Sequence, residues 1–102
     1  MSYRVIYLNE AKQDIKEVVS YLASFYASTA RDFKNKLTSN VNKLKDWPQM
    51  CPIYEPDSFF RRMVIDDYLL FYSVDEKRQR VVIHRIFHHA RDTQRLLTSH
   101  RS

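Results

Sequence analysis

There is no glycine anywhere in this 102-residue chain. A phosphate-cradling loop and a dinucleotide-binding turn both need glycines so that backbone amides can approach phosphate, and both are excluded. Every tight turn must then be made by Asn, Asp, Ser or Pro, which reach or preset the required dihedrals less freely. Cysteine is nearly as scarce. Cys51 stands alone, which rules out an internal disulfide and any zinc site built on several thiolates. Beside Pro52 it reads as a small apolar filler. No apolar run approaches the roughly 20 residues that cross a bilayer. The opening Met1-Ser2-Tyr3-Arg4 carries neither an apolar signal region nor a small-residue cleavage site, so a cytoplasmic protein with no membrane partner is expected.

What is present fits one globular domain spanning residues 1–102, with 44% hydrophobic and 28% charged residues. The net charge of +5 is unevenly placed. Residues 1–60 hold eight Lys and Arg against seven Asp and Glu, a balance of +1. Residues 77–102 hold seven cations against Asp92 alone, a balance of +6, together with all four histidines. Six of those seven are Arg, whose planar fork suits phosphate and carboxylate. Such a field points to a polyanion or an acidic protein partner.

The patterning predicts an α+β fold. Tyr3 to Leu8 is rich in β-branched and aromatic residues and reads as a first strand. Asn9 is placed to cap a helix that runs to about Phe25, with Glu10 and Asp14 at the positive end of its dipole. Its apolar stripe is Ala11, Ile15, Val18, Val19, Leu22 and Tyr26. Ser28 opens a second helix with the stripe Ala30, Phe33, Leu37, Val41 and Leu44, and Trp47 just beyond; Pro48 stops it. Gln49 to Ser58 reads as a stiff connector. Three strands follow, around Phe60–Ile65, Tyr68–Val74 and Arg80–Phe87, with turns at Asp66-Asp67 and Asp75 to Arg78. The nearly continuous apolar run of the middle strand marks it as central or covered on both faces. The expected architecture is a helical hairpin packed on a twisted, mainly antiparallel four-stranded sheet, with the first strand joining the meander. A short helical turn is expected over Thr93–Thr98.

The residues that carry chemistry cluster late. On a regular strand His84 and His88 share one side with Ile86, and Arg85 takes the other. A metal site would use two histidines plus a carboxylate, but no second acidic ligand is near in sequence and no helical metal motif exists, so neither metal nor cofactor is expected. Cleaving RNA without a metal requires a base for the 2′-hydroxyl proton, cations on the scissile phosphate, an acid for the leaving oxygen and a stacking platform. The chain holds candidates for each. Arg61, Arg62, Arg85, Arg91 and Arg80 suit phosphate, His88 or His89 suits the acid, Glu55 the base, and Tyr54, Tyr68 or Phe87 the platform.

Several segments taken together resemble the RelE/ParE superfamily of toxins from type II toxin–antitoxin modules, the plasmid stabilisation family. They are Tyr3 to Tyr7 with Glu10-Ala11 and Asp14-Ile15, Leu44 with Trp47-Pro48, Arg62 to Tyr72, and Val82 to Asp92 with its His88-His89-Ala90-Arg91-Asp92 ending. The resemblance spans nearly the whole chain. It implies a growth-arresting toxin held in a hetero-oligomer by a cognate acidic antitoxin. Members resembling RelE cut mRNA in the ribosomal A site, whereas those resembling ParE poison DNA gyrase. The first expectation is therefore a ribosome-dependent, metal-independent mRNA endoribonuclease. The alternatives are a gyrase inhibitor without nuclease activity and a degenerate, non-catalytic antitoxin-binding module. Two departures bear on this choice. Leu69 stands where some ribonuclease members hold a second arginine, and no tyrosine follows Phe87.

Overall fold

Ala30, Phe33, Leu37, Val41 and Leu44 recur at the three- and four-residue spacing of a helix, and all five are buried. They form the seam on which the molecule is built. The computed structural model describes residues 2–91 and residue 97. In chain order it contains β1 (Arg4–Tyr7), α1 (Asn9–Ala23), α2 (Ala27–Lys43), β2 (Arg61–Ile65), β3 (Tyr68–Asp75) and β4 (Arg80–His88). The strands form one sheet in the order β1-β4-β3-β2. β1 runs parallel to β4, from Arg4 beside Arg80 to Tyr7 beside Ile83, and the other pairings are antiparallel. The expected helical hairpin on a mainly antiparallel sheet is what the chain adopts. Among the described residues no helix is long and apolar enough to cross a membrane.

The sheet is covered on both faces, which is why β3 reads as an apolar run. Against one face the seam of α1 and α2 packs on Met63, Ile65, Leu70, Tyr72, Val81, Ile83 and Ile86. Against the other lie Tyr54, Phe60, Phe71, Phe87 and Leu97. Each large side chain so buried stabilises by about 1.5–3 kcal/mol relative to an exposed one.

The glycine-free turns come out as the acidic residues allow. Asp66 takes φ 54° between β2 and β3, and Gln79 takes φ 52° before β4. Asp tolerates this left-handed region better than most side chains, whereas Gln79 is held there at some cost.

Several local expectations are corrected. Asn9 lies inside α1, and the residue before the helix is Leu8, with no side-chain cap. The helix ends at Ala23 rather than near Phe25. α2 starts at Ala27 after extended Tyr26, so Ser28 falls inside its first turn. Trp47 does not continue the seam and is 66% exposed. The expected turn over Thr93–Thr98 lies outside the described residues, save Leu97, which is buried.

The largest correction concerns β4. Phe71 pairs with Arg85 but Tyr72 pairs with Ile83, so His84 is the extra residue of a β-bulge. A bulge shifts the side-chain alternation by one. His84 and Arg85 therefore both belong to the face away from the helices, while Ile86 and His88 turn toward them. Consistent with this, His84 meets Phe60 at 5.1 Å between ring centroids, and His88 meets Tyr68 at 5.5 Å.

Candidate functional site

β1 pairs with β4 only as far as Ile83, and the rest of β4 would present a bare edge. α1 fills that position with a carboxylate. Asp14 is buried, accepts the Ile86 amide at 3.0 Å, and is gripped by Arg85 through Nε at 2.7 Å and Nη2 at 3.0 Å. Glu10 and Glu17 lie one helical turn to either side, and with Asp14 they hold the Arg85 guanidinium even more firmly charged, the Asp14 hydrogen bond being the largest cause. The helix-dipole role expected for Asp14 is thus replaced by a long-range anchor.

Beyond this anchor, between α1 and the end of β4, lies a cleft of about 390 Å³. Asp14, Glu17 and Tyr21 line its helix side, and Tyr68, His88 and Arg91 its sheet side. Burial pushes the Tyr68 phenol up from its ordinary value. His88 is half-buried and its Nδ1 accepts the Ala90 amide at 3.2 Å. Its ring stacks on His89 at 4.5 Å. The guanidinium of Arg91 lies 6.0 Å from the centre of the Phe87 ring, and that of Arg85 lies 4.5 Å from it. Phe87 therefore already carries a cation and is buried, so it offers no open platform. Tyr54 is buried as well, with its ring edge-on to Phe71 at 5.0 Å.

The remaining candidates lie elsewhere. Arg61 donates to the Cys51 carbonyl oxygen at 2.7 Å and more weakly to that of Gln49 at 3.4 Å, holding the connector against the end of β2. Beside it the Tyr72 hydroxyl donates to the Pro48 carbonyl oxygen at 2.8 Å. Burial pushes the Cys51 thiol up and, more strongly, the Tyr72 phenol. Arg62 is exposed, its backbone amide bonded to Pro52. Glu55 is exposed in the connector. Arg80 pairs with Asp75 at 3.3 Å, and its buried Nε has no hydrogen-bond partner.

The register separates these groups. Arg61 shares a row with Tyr72 and Ile83, whereas His88 shares a row with Tyr68 and Ile65. Four residue steps and two strand spacings put about 16 Å between their Cα positions. The structure thus brings together Tyr68, His88 and Arg91, and leaves Arg61, Arg62, Glu55 and Arg80 outside that cleft. Sequence reasoning missed Asp14, Glu17 and Tyr21 as members. The signal was available: residues 10, 14, 17 and 21 fall on one helical face. No group of three or more potential metal ligands occurs among the described residues.

The family model described as the ParE toxin of type II toxin–antitoxin systems matches residues 5–93. Among solved structures, the chain is similar to the toxin–antitoxin complex RelBE2 from Mycobacterium tuberculosis, with TM-score 0.59 and 19% identity over 86% of this chain and 99% of that one. At that identity the likeness is one of fold. No curated protein matches the sequence.

Proposed function

The chain belongs to the ParE family of toxins from type II toxin–antitoxin systems, and on that premise we propose that it arrests growth by inhibiting DNA gyrase rather than by cutting mRNA. One observation carries the choice. The groups that metal-free RNA cleavage needs within reach of one phosphate are dispersed, with Arg61 tied to backbone carbonyls about 16 Å from His88 by the strand geometry. General acid–base catalysis requires its partners within hydrogen-bond reach of one reacting centre. His88 and Arg91 also share their cleft with Glu17, which opposes an incoming phosphate, while Asp14 is already neutralised by Arg85. Leu69, apolar in the middle strand, supplies no cation to offset Glu17.

The cleft suits protein recognition better. It has two tyrosine walls, an acidic side and a basic side, a combination that reads an opposing surface by charge and shape. In the resting state the partner is an acidic antitoxin, in keeping with the toxin–antitoxin complex that shares this fold. Expression of the chain in bacteria without an antitoxin tests the reading. Plasmid DNA should lose negative supercoiling while mRNA 5′ ends stay unchanged. New mRNA ends within codons, with supercoiling intact, would reinstate the ribonuclease reading. No growth arrest at all would leave only an antitoxin-binding module.

A further inference from the structure

At the other end of the sheet, on the face away from the helices, a second hollow of about 440 Å³ opens beside the bulge. Phe59, Val82, Ser73 and His84 line it, with Glu76 and Lys77 at its exposed rim. Neither the toxin reading nor any candidate set from the sequence uses it. Its construction is specific. Ser73 is only 8% exposed, and its hydroxyl lies 2.9 Å from His84 Nε2. That polar pair sits among apolar and aromatic groups, with the Phe59 ring 5.6 Å and edge-on from the imidazole. Phe59 itself is 47% exposed, with its ring also edge-on to that of Phe60 at 5.0 Å. The Asp57 carboxylate accepts the Phe59 amide at 3.2 Å and fixes the turn that presents it.

An apolar hollow with a few converging polar groups is the ordinary form of a small-molecule site. We propose that this one binds a nucleobase, with Phe59 against the ring face and the Ser73–His84 pair on an edge that carries a donor beside an acceptor. A serine hydroxyl has one hydrogen to give and two lone pairs. When His84 Nε2–H donates to it, the hydroxyl can donate to a ring nitrogen or carbonyl and accept from the adjacent N–H. Aromatic stacking is indifferent to base identity. At the rim Arg78 and Arg80 are both held by Asp75, and Lys77 stands beside Glu76, so none of these cations is left without a nearby carboxylate. Recognition therefore rests on the ring, and a phosphate on the ligand adds little.

Titration of the isotope-labelled chain, followed through the amides of Ser73, Val82 and His84, tests this. Adenosine, uridine and adenosine 5′-monophosphate should each give saturable shifts with affinities within about threefold of one another. N6,N6-dimethyladenosine, which keeps the ring but loses the donor, should bind about tenfold more weakly. Phe59→Ala and Ser73→Ala should each weaken adenosine by about tenfold, and Ser73→Thr should restore most of it. The undisturbed amide spectrum of α1 and α2 reports that each variant is folded. Absence of saturable shifts overturns the proposal. So does equal binding of the dimethylated nucleoside, which would mark a merely apolar hollow, or equal binding of ribose 5-phosphate, which would mark a phosphate site.

Discussion

Asp14 and Arg85, 71 residues apart in sequence, meet through two parallel hydrogen bonds, Nε to Oδ2 at 2.7 Å and Nη2 to Oδ1 at 3.0 Å. The same carboxylate takes the Ile86 amide at 3.0 Å. Asp14 thereby does for the second half of β4 what a neighbouring strand does for the first. It ties the helical hairpin to the sheet and neutralises an arginine that the sequence offered to a ligand.

Asp14→Ala should therefore destabilise strongly, because it leaves a largely buried guanidinium and a strand amide without partners. The expected loss is about 2–4 kcal/mol, somewhat below the about 3–5 kcal/mol of a fully buried pair. Replacing both partners, Asp14→Leu with Arg85→Met, should recover most of it. Urea unfolding of Asp14→Ala, Asp14→Leu, Arg85→Met and the double variant checks this, and additive losses in the double variant would contradict the pairing.

Gln79 offers the opposite case. It is exposed and held at φ 52°, a region that costs an L-residue about 1–2 kcal/mol and glycine almost nothing. Gln79→Gly should raise stability by about 0.5–1 kcal/mol despite the added freedom of the unfolded chain. Gln79→Val should lower it. Asp66 is a less clean test, since its carboxylate also pairs with Lys36 Nζ at 2.8 Å.

Tyr72 makes stability depend on alkaline pH. Its phenol is buried against the Pro48 carbonyl, and burial pushes its pKa well above the ordinary 10.0. In the unfolded chain the phenol ionises near that ordinary value, while the folded chain keeps it protonated. The stability it contributes is complete below pH 10.0 and is lost progressively as pH rises from there toward the folded value. Tyr72→Phe should flatten this limb and cost about 1 kcal/mol at neutral pH. Tyr7 and Tyr68, also pushed up by burial, leave a residual slope. Urea midpoints from about pH 8 to about pH 11 measure it, and an unchanged slope in Tyr72→Phe would count against the assignment.

Most of the framework was legible because local periodicity and burial agree. The stripe of α2, the apolar run of β3 and the acidic turn at Asp66-Asp67 each announce one structure through spacing alone. What sequence could not supply were relations set by register. The bulge at His84 carries no residue-type signature, yet it moves Ile86 and His88 to the other face. Asp14 fits a helix start as well as a buried anchor, and only the position of β4 decides. Arg61 reads as a free cation until the connector folds back and presents two carbonyls. The candidate site was accordingly half visible, with His88, Arg91 and Tyr68 named and the α1 side of the cleft missing.

At the cleft end of β4 Arg91 is exposed, whereas Arg85 is already engaged in the free chain. An acidic antitoxin that docks at this end should feel the difference. Arg91→Ala should slow association severalfold at low salt and reduce its salt dependence, with little change in folding stability. Arg85→Ala should act chiefly through stability. Stopped-flow association at two ionic strengths, beside a thermal melt, separates the two; equal association rates for Arg91→Ala and the parent chain would place the antitoxin elsewhere.

Purified components separate gyrase from mRNA as the target. The chain is added to DNA gyrase, relaxed plasmid and ATP, and in parallel to a translation reaction programmed with a defined mRNA. A gyrase inhibitor gives dose-dependent loss of supercoiling and leaves the mRNA full length. Unimpaired supercoiling, together with mRNA cut at codons in the ribosome, would contradict the gyrase reading.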